Sequence, residues 1–446
     1  MSVLSVPLQR TGAKITFFND RASKSDKLYI ARAKMAKFAC SSNYPYLCRV
    51  FFHVRMTVLK DSIYIGDEGV AMKKLGFGMM RLPLKDSNDL SSVDMQLSAR
   101  MVDAFLDRGF TYFDTAWQYH LGHSEEILRE LVVRRHQRSA FTITDKLPCW
   151  EIRRPEDMER IFSTQLERTG AGYFDWYLLH AMNKNYAALM DRVGGWDFIR
   201  RKRDEGLVRH IGFSFHDDSK TLEKILKEHP ELEYVQLQIN YIDWNSPSVE
   251  SGECYRLCEK YGRKVFVMEP VKGGSLARVP QKVADMFEEV EPGSSPASWA
   301  IRFAASLPSV KVVLSGMSSM EQVLDNTAYM EHFTPFDSLH RETIERAAGI
   351  IQNSIAIPCT GCNYCSPGCP KKIAIPEYFA MINSIKQFGA YQKHNTAKYY
   401  KLLTEKRGRA GDCIECGQCE RHCPQHINIM DKLKLVSRLY DSGKEE

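Results

Sequence analysis

From Lys74 onward, short apolar runs alternate with longer stretches in which apolar residues recur every three or four positions. Short continuous apolar runs are typical of strands buried on both faces, and the three- or four-residue recurrence is typical of amphipathic helices. The stretches 124–135 and 219–229 show the helical pattern. The apolar runs number eight: KLGFGMMRL (74–82), FTYFDT (110–115), FTITDKL (141–147), FDWYLLH (174–180), RHIGFSF (209–215), YVQLQIN (234–240), KVFVMEP (264–270) and VKVVLSG (310–316).

A polar residue lies at or near the end of seven of these runs, at intervals that suit one strand plus one helix. Eight such units over about 250 residues predict an α/β chain with a (β/α)8 TIM barrel, whose active site lies at the carboxyl ends of the strands. The alternative is a doubly wound sheet, but no G-x-G-x-x-G motif follows a first strand, and LGFG at 75–78 is too short. We expect the barrel over residues 72–330. The polar residues at or near the ends of these seven runs are Asp114, Lys146, His180, Ser214, Asn240, Glu269 and Ser315.

Four polar side chains of the first strand ends are candidates for catalysis. Asp114, Lys146 and His180 end strands two, three and four, and Tyr119 follows in the loop after strand two. An adjacent ammonium is expected to lower the pKa of a phenol, a carboxylate can hold that ammonium, and a histidine can donate to a substrate oxygen. Together they could protonate a carbonyl oxygen. Singly, the aspartate could cap a helix and the histidine could be a core residue.

Two cysteine clusters follow the barrel, each with the spacing C-x2-C-x2-C-x3-C-P. This is the spacing of bacterial ferredoxins, in which the fourth cysteine of each run ligates the other cluster. One predicted [4Fe–4S] cluster is held by Cys359, Cys362, Cys365 and Cys423, and the second by Cys413, Cys416, Cys419 and Cys369. Structural zinc is the alternative. The remaining cysteines, at positions 40, 48, 149, 254 and 258, lack such spacing and are expected to be buried or surface thiols.

The domain predicted from these clusters is small, ferredoxin-like and mainly α-helical, and it spans residues 331–446. Residues 371–412 separate the two cysteine runs and contain two helical patterns. The crossed ligation requires these two helices to form a hairpin that brings the runs together.

The formal net charge of +6 comes from the first 71 residues, which contain eleven Lys/Arg and five Asp/Glu. We therefore expect no nucleic-acid-binding face on the rest of the chain. Residues 1–71 are expected to be a disordered basic leader, or the product of an overcalled start with Met56 or Met72 beginning the protein. No run of eighteen apolar residues and no secretory signal are present, so a cytoplasmic protein without a membrane span is expected.

Five segments resemble the aldo/keto reductase family: FTYFDTAWQYHLGHSEEILRELV (110–132), TDKLP (144–148), FDWYLLH (174–180), GLVRHIGFSFHD (206–217) and VLSGMSSMEQVLDN (313–326). The resemblance covers residues 74 to about 330. It implies a catalytic tetrad of Asp114, Tyr119, Lys146 and His180, with Tyr119 as acid/base. It also implies a nicotinamide cofactor at Ser214, Gln238, Ser315, Gly316, Met317, Ser318, Gln322 and Asn326.

Two departures from the family pattern stand near these positions. Gln322 replaces an arginine that NADP-preferring members often carry, so both NADP and NAD remain open. The loop WQYHLGH is rich in aromatic and histidine residues. His120 and His123 could shape a substrate pocket or could be solvated.

The sequence therefore predicts an oxidoreductase that reduces a small-molecule carbonyl, or oxidises an alcohol, next to two [4Fe–4S] clusters. A one-electron carrier cannot deliver hydride directly to a nicotinamide, and no flavin motif is present. Two alternatives remain: a barrel that receives single electrons from the clusters, with a redox partner protein, and a redox sensor that binds nicotinamide without turnover.

Overall fold

Eight parallel strands close into a barrel in the described part of the chain, as the spacing of apolar runs predicted. Each strand pairs with its sequence neighbours, and β8 pairs with β1 to close the barrel. The strands are β1 Leu75–Gly78, β2 Tyr112–Asp114, β3 Thr142–Pro148, β4 Phe174–Met182, β5 Val208–Phe215, β6 Tyr234–Gln238, β7 Lys264–Met268 and β8 Val310–Ser315.

The structure is a computed structural model. It describes residues 71–86, 89–246, 249–388 and 392–441, together with the short strands Leu4–Pro7, Lys14–Phe17 and Ile63–Ile65. Leu4–Pro7 pairs with Lys14–Phe17, and Ile63–Ile65 pairs with Ala71–Lys73, both antiparallel. The expectation of disorder over residues 1–71 falls mostly outside the described residues and stays a prediction.

Helices follow the strands and cover the outside of the barrel. The helices up to the end of the barrel are α1 Met95–Asp107, α2 Ser124–Leu128, α3 Pro155–Thr169, α4 Lys184–Val193, α5 Gly195–Asp204, α6 Ser219–Glu228, α7 Ser251–Lys260, α8 Gln281–Val290, α9 Pro296–Ala305, α10 Met320–Glu331 and α11 Ser338–Ser354. A π turn, Arg129–Val133, continues α2. Among the described helices, none combines the length and apolar character needed to cross a bilayer.

Aromatic side chains fill the barrel interior below its mouth. Tyr112, Trp176, Tyr234 and Phe266 are buried there and pack edge-on or tilted against one another. Gly76 on β1 and Gly212 on β5 make room for two of these rings, since a Cβ on Gly76 would lie 2.7 Å from the Tyr112 ring and one on Gly212 would lie 2.6 Å from the Tyr234 ring. These buried side chains fill the lower barrel, and the active sites of such barrels lie at the carboxyl ends of the strands.

The C-terminal region, from residue 355 onward, has its own hydrophobic core. Ile373, Tyr378, Phe379 and Leu433 are buried within it, and six of its cysteines pack against or within that core. Its helices are α12 Ile375–Phe388, α13 Gln392–Thr404, α14 Gln418–Arg421 and α15 Ile429–Tyr440. A β-bridge between Ile373 and Gly408 joins the two ends of the α12–α13 segment.

Helix α11 packs with the barrel, although the sequence placed its residues in the C-terminal domain. Its buried Ile344, Ala347 and Ile351 share a core with Trp299 of α9. Residues 62–446 form one compact unit, so the contacts between the barrel mouth and the cysteine region belong to a single body.

Candidate active site

The four candidate catalytic residues meet at the mouth of the barrel. Lys146 Nζ lies 2.5 Å from Asp114 Oδ1 and 3.4 Å from the Tyr119 hydroxyl. The rings of Tyr119 and His180 stand nearly perpendicular, with centroids 6.3 Å apart. The structure therefore brings together residues that the strand spacing placed at one edge of the barrel.

The Lys146 ammonium is fully buried and held by short hydrogen bonds. It donates to Asp114 and, at 2.6 Å, to the Thr115 carbonyl oxygen. The second Asp114 oxygen accepts from Gln236 Nε2 at 3.1 Å. A buried charge is tolerated only when it is paired and its remaining hydrogen-bonding capacity is used. These contacts fix the ammonium beneath the Tyr119 oxygen.

A strained turn holds Tyr119 in place. His120 and Leu121 have φ angles of 50° and 57°, in the left-handed region that non-glycine residues rarely adopt. The His120 ring is buried, with Nδ1 2.9 Å from the Leu90 carbonyl and Nε2 2.8 Å from the Met79 carbonyl. His120 is thus a brace for the turn and not a solvated residue, whereas His123 is half-exposed and lies 3.4 Å from Glu126.

The surroundings of Tyr119 raise its pKa well above the usual value of 10. Burial is the largest cause, and the carboxylates of Asp114 and Glu269 add to it. The nearby Tyr364 hydroxyl acts in the opposite direction and lowers this pKa. The expectation that the neighbouring ammonium would lower the pKa of Tyr119 was wrong, because desolvation outweighs that attraction. Tyr119 is accordingly protonated at neutral pH.

His180 is held in its neutral form. Burial lowers its pKa well below 6.5, and the positive charge of Lys146 lowers it further. Its ring packs against Trp150 with centroids 5.1 Å apart, and Nδ1 has no hydrogen-bond partner among the described residues. A neutral imidazole donates from one nitrogen and accepts at the other, so His180 can direct one N–H at a ligand in the mouth.

The residues expected to contact a nicotinamide cofactor lie on the other side of the mouth. Ser214 is buried and its hydroxyl accepts from the Ala181 amide at 2.8 Å. Asn326 Nδ2 donates to Ser315 Oγ at 2.9 Å, and the Ser318 amide donates to Gln322 Oε1 at 2.7 Å. Gly316 and Met317 complete this connection between β8 and α10, and Met317 is fully buried.

Gln238 has a partner from the C-terminal region. Its Oε1 accepts from Gln425 Nε2 at 2.8 Å, and its Nε2 lies 3.0 Å from Gln425 Oε1. Lys272 Nζ also reaches Gln425 Oε1, at 3.2 Å, and pairs with Asp243 at 2.6 Å. All four side chains are buried. Gln425 therefore hydrogen-bonds with both side-chain amide atoms of Gln238, a residue that was predicted to contact the cofactor.

The eight clustered cysteines surround two cavities. One cavity is lined by Cys359, Cys362, Cys365 and Cys423, together with Thr360 and Gln425. A second cavity is lined by Cys369, Cys413, Cys416 and Cys419. The grouping is the one that the sequence spacing predicted, with the fourth cysteine of each run at the other cavity.

Sequence reasoning missed several residues of this site, above all Tyr364 and Gln425. Tyr364 lies in the motif CNYC and Gln425 in the motif CPQ, close to the clustered cysteines. An aromatic or amide side chain inside these motifs was the only signal in the sequence for either residue. Lys272 was also missed, although VKGGS begins at Val271, three residues beyond the end of β7, and its glycine pair marks a close backbone approach.

The model of the aldo/keto reductase family matches residues 74–348, more than half of the chain. The chain belongs to the aldo/keto reductase family. A second family model, described as a 4Fe-4S dicluster domain, matches residues 358–427. The prediction of a reductase barrel followed by an iron–sulfur domain is confirmed.

Two relatives give the scale of the similarity. Probable aldo-keto reductase 1 from Glycine max is 25% identical over 226 residues, which cover 48% of this chain and 60% of the relative. An aldo-keto reductase from Mycolicibacterium vanbaalenii is 27% identical over 241 residues, covering 53% of this chain and 78% of the relative. The chain thus spans less than two thirds of the soybean protein.

A solved structure has the same fold. The aldo/keto reductase from Klebsiella pneumoniae in complex with NADP and acetate has a TM-score of 0.50 and 18% identity. The match covers 64% of this chain and 94% of that protein. At this identity the similarity concerns the fold alone.

The buried ion pair gives a first prediction. Replacing Lys146→Met leaves the Asp114 carboxylate buried without its cation, so the free energy of unfolding is expected to fall by about 3–5 kcal/mol. Urea unfolding measures this change. The double variant Lys146→Met/Asp114→Leu should recover part of the loss, because it removes both charges.

Lys260→Met is the matched control, since Lys260 pairs with Glu223 on the solvent-exposed side of the barrel at 2.8 Å. It should leave the unfolding midpoint nearly unchanged. Equal losses in both single variants would contradict the assigned role of the buried pair.

Proposed function

We propose that this chain is an NAD(P)-linked oxidoreductase that reduces a small-molecule carbonyl, or oxidises the corresponding alcohol, with Tyr119 as the acid/base. The proposal rests on one contact at the open end of the barrel: the Tyr119 hydroxyl lies 3.4 Å from the buried Lys146 ammonium. His180 stands beside the same phenol. This arrangement suits protonation of an oxygen atom placed between Tyr119 and His180.

The proton and charge movements follow from these residues. A bound nicotinamide, when present, supplies the hydride to the carbonyl carbon and is oxidised. The Tyr119 hydroxyl gives its proton to the carbonyl oxygen, so that an alcohol leaves and a phenolate remains until solvent reprotonates it. Lys146 lies close enough to stabilise that phenolate, and Asp114 keeps the ammonium in position. The neutral His180 donates to the substrate oxygen and orients it.

For the nicotinamide we propose the residues already named: Ser214, Gln238, Ser315, Gly316, Met317, Ser318, Gln322 and Asn326. The backbone amides between β8 and α10 lie at a helix N-terminus, which favours phosphate groups. The Klebsiella pneumoniae protein of the same fold is in complex with NADP. This supports a nicotinamide dinucleotide here and leaves NADP and NAD both open.

Replacing Tyr119→Phe should lower kcat for NADPH-dependent reduction of an aldehyde panel by about 10²–10⁴-fold, because the proton donor is lost. In the unaltered protein, kcat should not fall between about pH 6 and pH 9, since the raised pKa of Tyr119 keeps the phenol protonated. Steady-state oxidation of NADPH measures both effects.

Tyr261→Phe is the control, because that hydroxyl contacts Glu223 on the outer surface of the barrel. It should leave kcat unchanged. Equal activity of Tyr119→Phe and the unaltered protein would contradict the acid/base role. NADPH binding without any turnover would favour the sensor alternative.

We also propose that the chain holds two [4Fe–4S] clusters, one in each cysteine cavity. Zinc requires four ligands at about 2.0–2.3 Å from one ion. Within the described ranges, no three His, Cys, Asp or Glu side chains are grouped for a single metal ion, whereas each set of four cysteines encloses a cavity. Such open sets fit a multi-atom cluster better than an ion. Bound clusters would supply one-electron chemistry.

Iron counts on double variants test the crossed ligation. Cys359→Ala and Cys423→Ala remove ligands from the same cavity, so their combination should leave about four iron atoms of the eight expected for two four-iron clusters. Combining Cys413→Ala with Cys423→Ala should leave almost none. Iron and sulfide are measured on protein purified without oxygen.

The reverse result, with four iron atoms in the 413/423 variant and none in the 359/423 variant, would show that each run holds its own cluster. Cys258→Ala is the control, since Cys258 is buried in the barrel core away from both cavities. It should retain the full iron content.

A second candidate function is favoured by the Gln425 contact. Because Gln425 occupies both amide atoms of Gln238, a nicotinamide carboxamide could pair with Gln238 only after displacing it. The barrel would then receive two single electrons through the clusters from a one-electron donor such as a redox partner protein, and its substrate would take up two protons. Free nicotinamide would not be needed.

Gln425→Ala separates the two candidates. If nicotinamide must displace Gln425, the variant should bind NADPH several-fold more tightly, since no protein amide then competes for Gln238. Fluorescence titration with NADPH and NADH measures Kd. Gln352→Ala is the control, because the Gln352 side-chain amide on α11 donates to the Ile242 carbonyl oxygen. This variant should leave Kd unchanged.

An unchanged or weaker Kd would show that Gln425 does not compete. If neither protein binds NADPH, and reduction of the aldehyde panel proceeds with reduced methyl viologen, the single-electron function is favoured.

A further inference from the structure

Two of the seven polar strand-end residues take no part in the proposed hydride transfer. Asn240 lies just beyond the end of β6, and Glu269 directly follows β7. Because β6 and β7 are paired neighbours in the barrel, both residues lie at its mouth. They are in contact there, since Asn240 Nδ2 donates to the Glu269 carbonyl oxygen at 3.2 Å.

The backbone of Glu269 has an uncommon conformation. Its φ angle is 56°, in the left-handed region that residues with a side chain rarely adopt, and the proline that follows restricts it further. The Lys272 amide also donates to the Glu269 carbonyl oxygen, at 3.0 Å. Asn240 is itself held, because its Oδ1 accepts from the backbone amides of Ile242 and Asp243. Strained residues that the surrounding contacts hold in place are frequent at binding and catalytic sites.

The side chain of Glu269 lacks a partner at one of its oxygens. Oε2 is buried and has no hydrogen-bond partner among the described residues. A buried acceptor without a donor is costly, and a carboxylate oxygen more so than a neutral one. Such an oxygen, at the mouth of a barrel of this kind, indicates a bound molecule that supplies the donor.

The charges near this loop favour a neutral donor. Lys272 is buried three positions after Glu269. Arg81 Nη2 donates to the Thr360 carbonyl oxygen at 3.3 Å, and a Cβ on Gly273 would clash with that same oxygen. Arg81 therefore stands beside the loop that follows β7. A cationic ligand would meet the positive charges of Lys272 and Arg81, whereas a hydroxyl or amide donor would not.

We propose that Glu269 is a ligand-binding residue of the barrel mouth: its Oε2 accepts a hydrogen bond from a neutral hydroxyl or amide donor of the molecule bound there. The donor belongs to a hydroxyl-bearing carbonyl substrate or to the nicotinamide cofactor, and both present the same chemistry to the carboxylate. No bond is made or broken at Glu269. This inference goes beyond the proposed function and rests on it only where turnover is the measurement.

Matched aldehydes that differ in one hydroxyl group test the substrate as the source of the donor. The pairs are glycolaldehyde with propanal, and meta- or para-(hydroxymethyl)benzaldehyde with the corresponding ethylbenzaldehyde. Glu269→Met keeps an unbranched side chain and removes both oxygens. In the full-length protein with its iron, this variant should lower the ratio of kcat/KM for the hydroxyl member over the alkyl member by about 10- to 100-fold, as expected when a hydrogen bond to a charged group is lost.

Titration with NADPH and NADH tests the cofactor as the source. If the cofactor supplies the donor, Glu269→Met should raise Kd, measured by fluorescence, by about 10- to 100-fold and leave the ratios of the aldehyde pairs unchanged. Glu269→Gln keeps one uncharged acceptor oxygen, so it should lose less than Glu269→Met in whichever measurement responds. If Glu269→Met does not fold, Glu269→Gln carries the same comparison with a smaller expected change.

Glu233→Met is the matched control. Glu233 is also half-buried, but it precedes β6 at the opposite end of the barrel, and its Oε2 lies 2.6 Å from His210 Nδ1. It should change neither the aldehyde ratios nor Kd, because loss of a merely structural carboxylate does not alter a ratio between two ligands. Unchanged ratios and an unchanged Kd in Glu269→Met would overturn the proposal. So would an equal response in the Glu233 variant.

Binding of the alcohol products, measured by isothermal titration calorimetry without cofactor, separates this inference from the proposed function. If the unaltered protein reduces no aldehyde, the proposed function fails, and a Kd for the hydroxymethyl alcohols that rises in Glu269→Met would still support the role of Glu269. If the protein reduces the aldehydes and Glu269→Met affects none of these comparisons, this inference alone fails. Absence of binding by every alcohol and by both nucleotides would overturn it as well.

Discussion

The buried ammonium of Lys146 is the constraint around which the barrel mouth is arranged. A fully buried cation demands a counter-ion and acceptors for its remaining hydrogens, and Asp114 and the Thr115 carbonyl meet that demand from the neighbouring strand. The pairing of β2 with β3 sets Asp114 beside Thr144, which brings the two charges within reach. Tyr119 then lies over the ammonium, since its turn starts five residues after Asp114.

Residues from outside the barrel segment complete the same mouth. Gln425 contacts Gln238 from a loop that borders the first cysteine cavity. The buried amide pair of Gln238 and Gln425 fixes the register between the two regions.

The sequence predicted what strand periodicity and local spacing control. Asp114, Lys146 and His180 were found because each lies near the end of an apolar run that forms a strand. Barrel closure places the carboxyl ends of these consecutive strands on one edge. The assignment of cysteines to two sets also followed from spacing, and the cavities group them in the same way.

Contacts across long separations were not predictable in this way. Gln238 and Gln425 are 187 positions apart, and no period in the chain relates them. The brace formed by His120 depends on carbonyls 30 and 41 positions earlier. The pKa of Tyr119 moved opposite to expectation because it depends on how much protein surrounds the phenol, which a single motif does not encode.

These contacts bear on why one chain carries both modules. Electron transfer between the two regions stays a proposal, whereas their contacts at the barrel mouth are part of the structure. A phenol whose pKa is raised by burial is a reluctant acid, because the phenolate it leaves is poorly stabilised. The Lys146 ammonium, 3.4 Å from the Tyr119 oxygen, is a donor that offsets that cost. An isolated barrel would keep this ammonium and lose the contacts of Gln425 with Gln238 and Lys272, so the C-terminal region forms part of the barrel mouth.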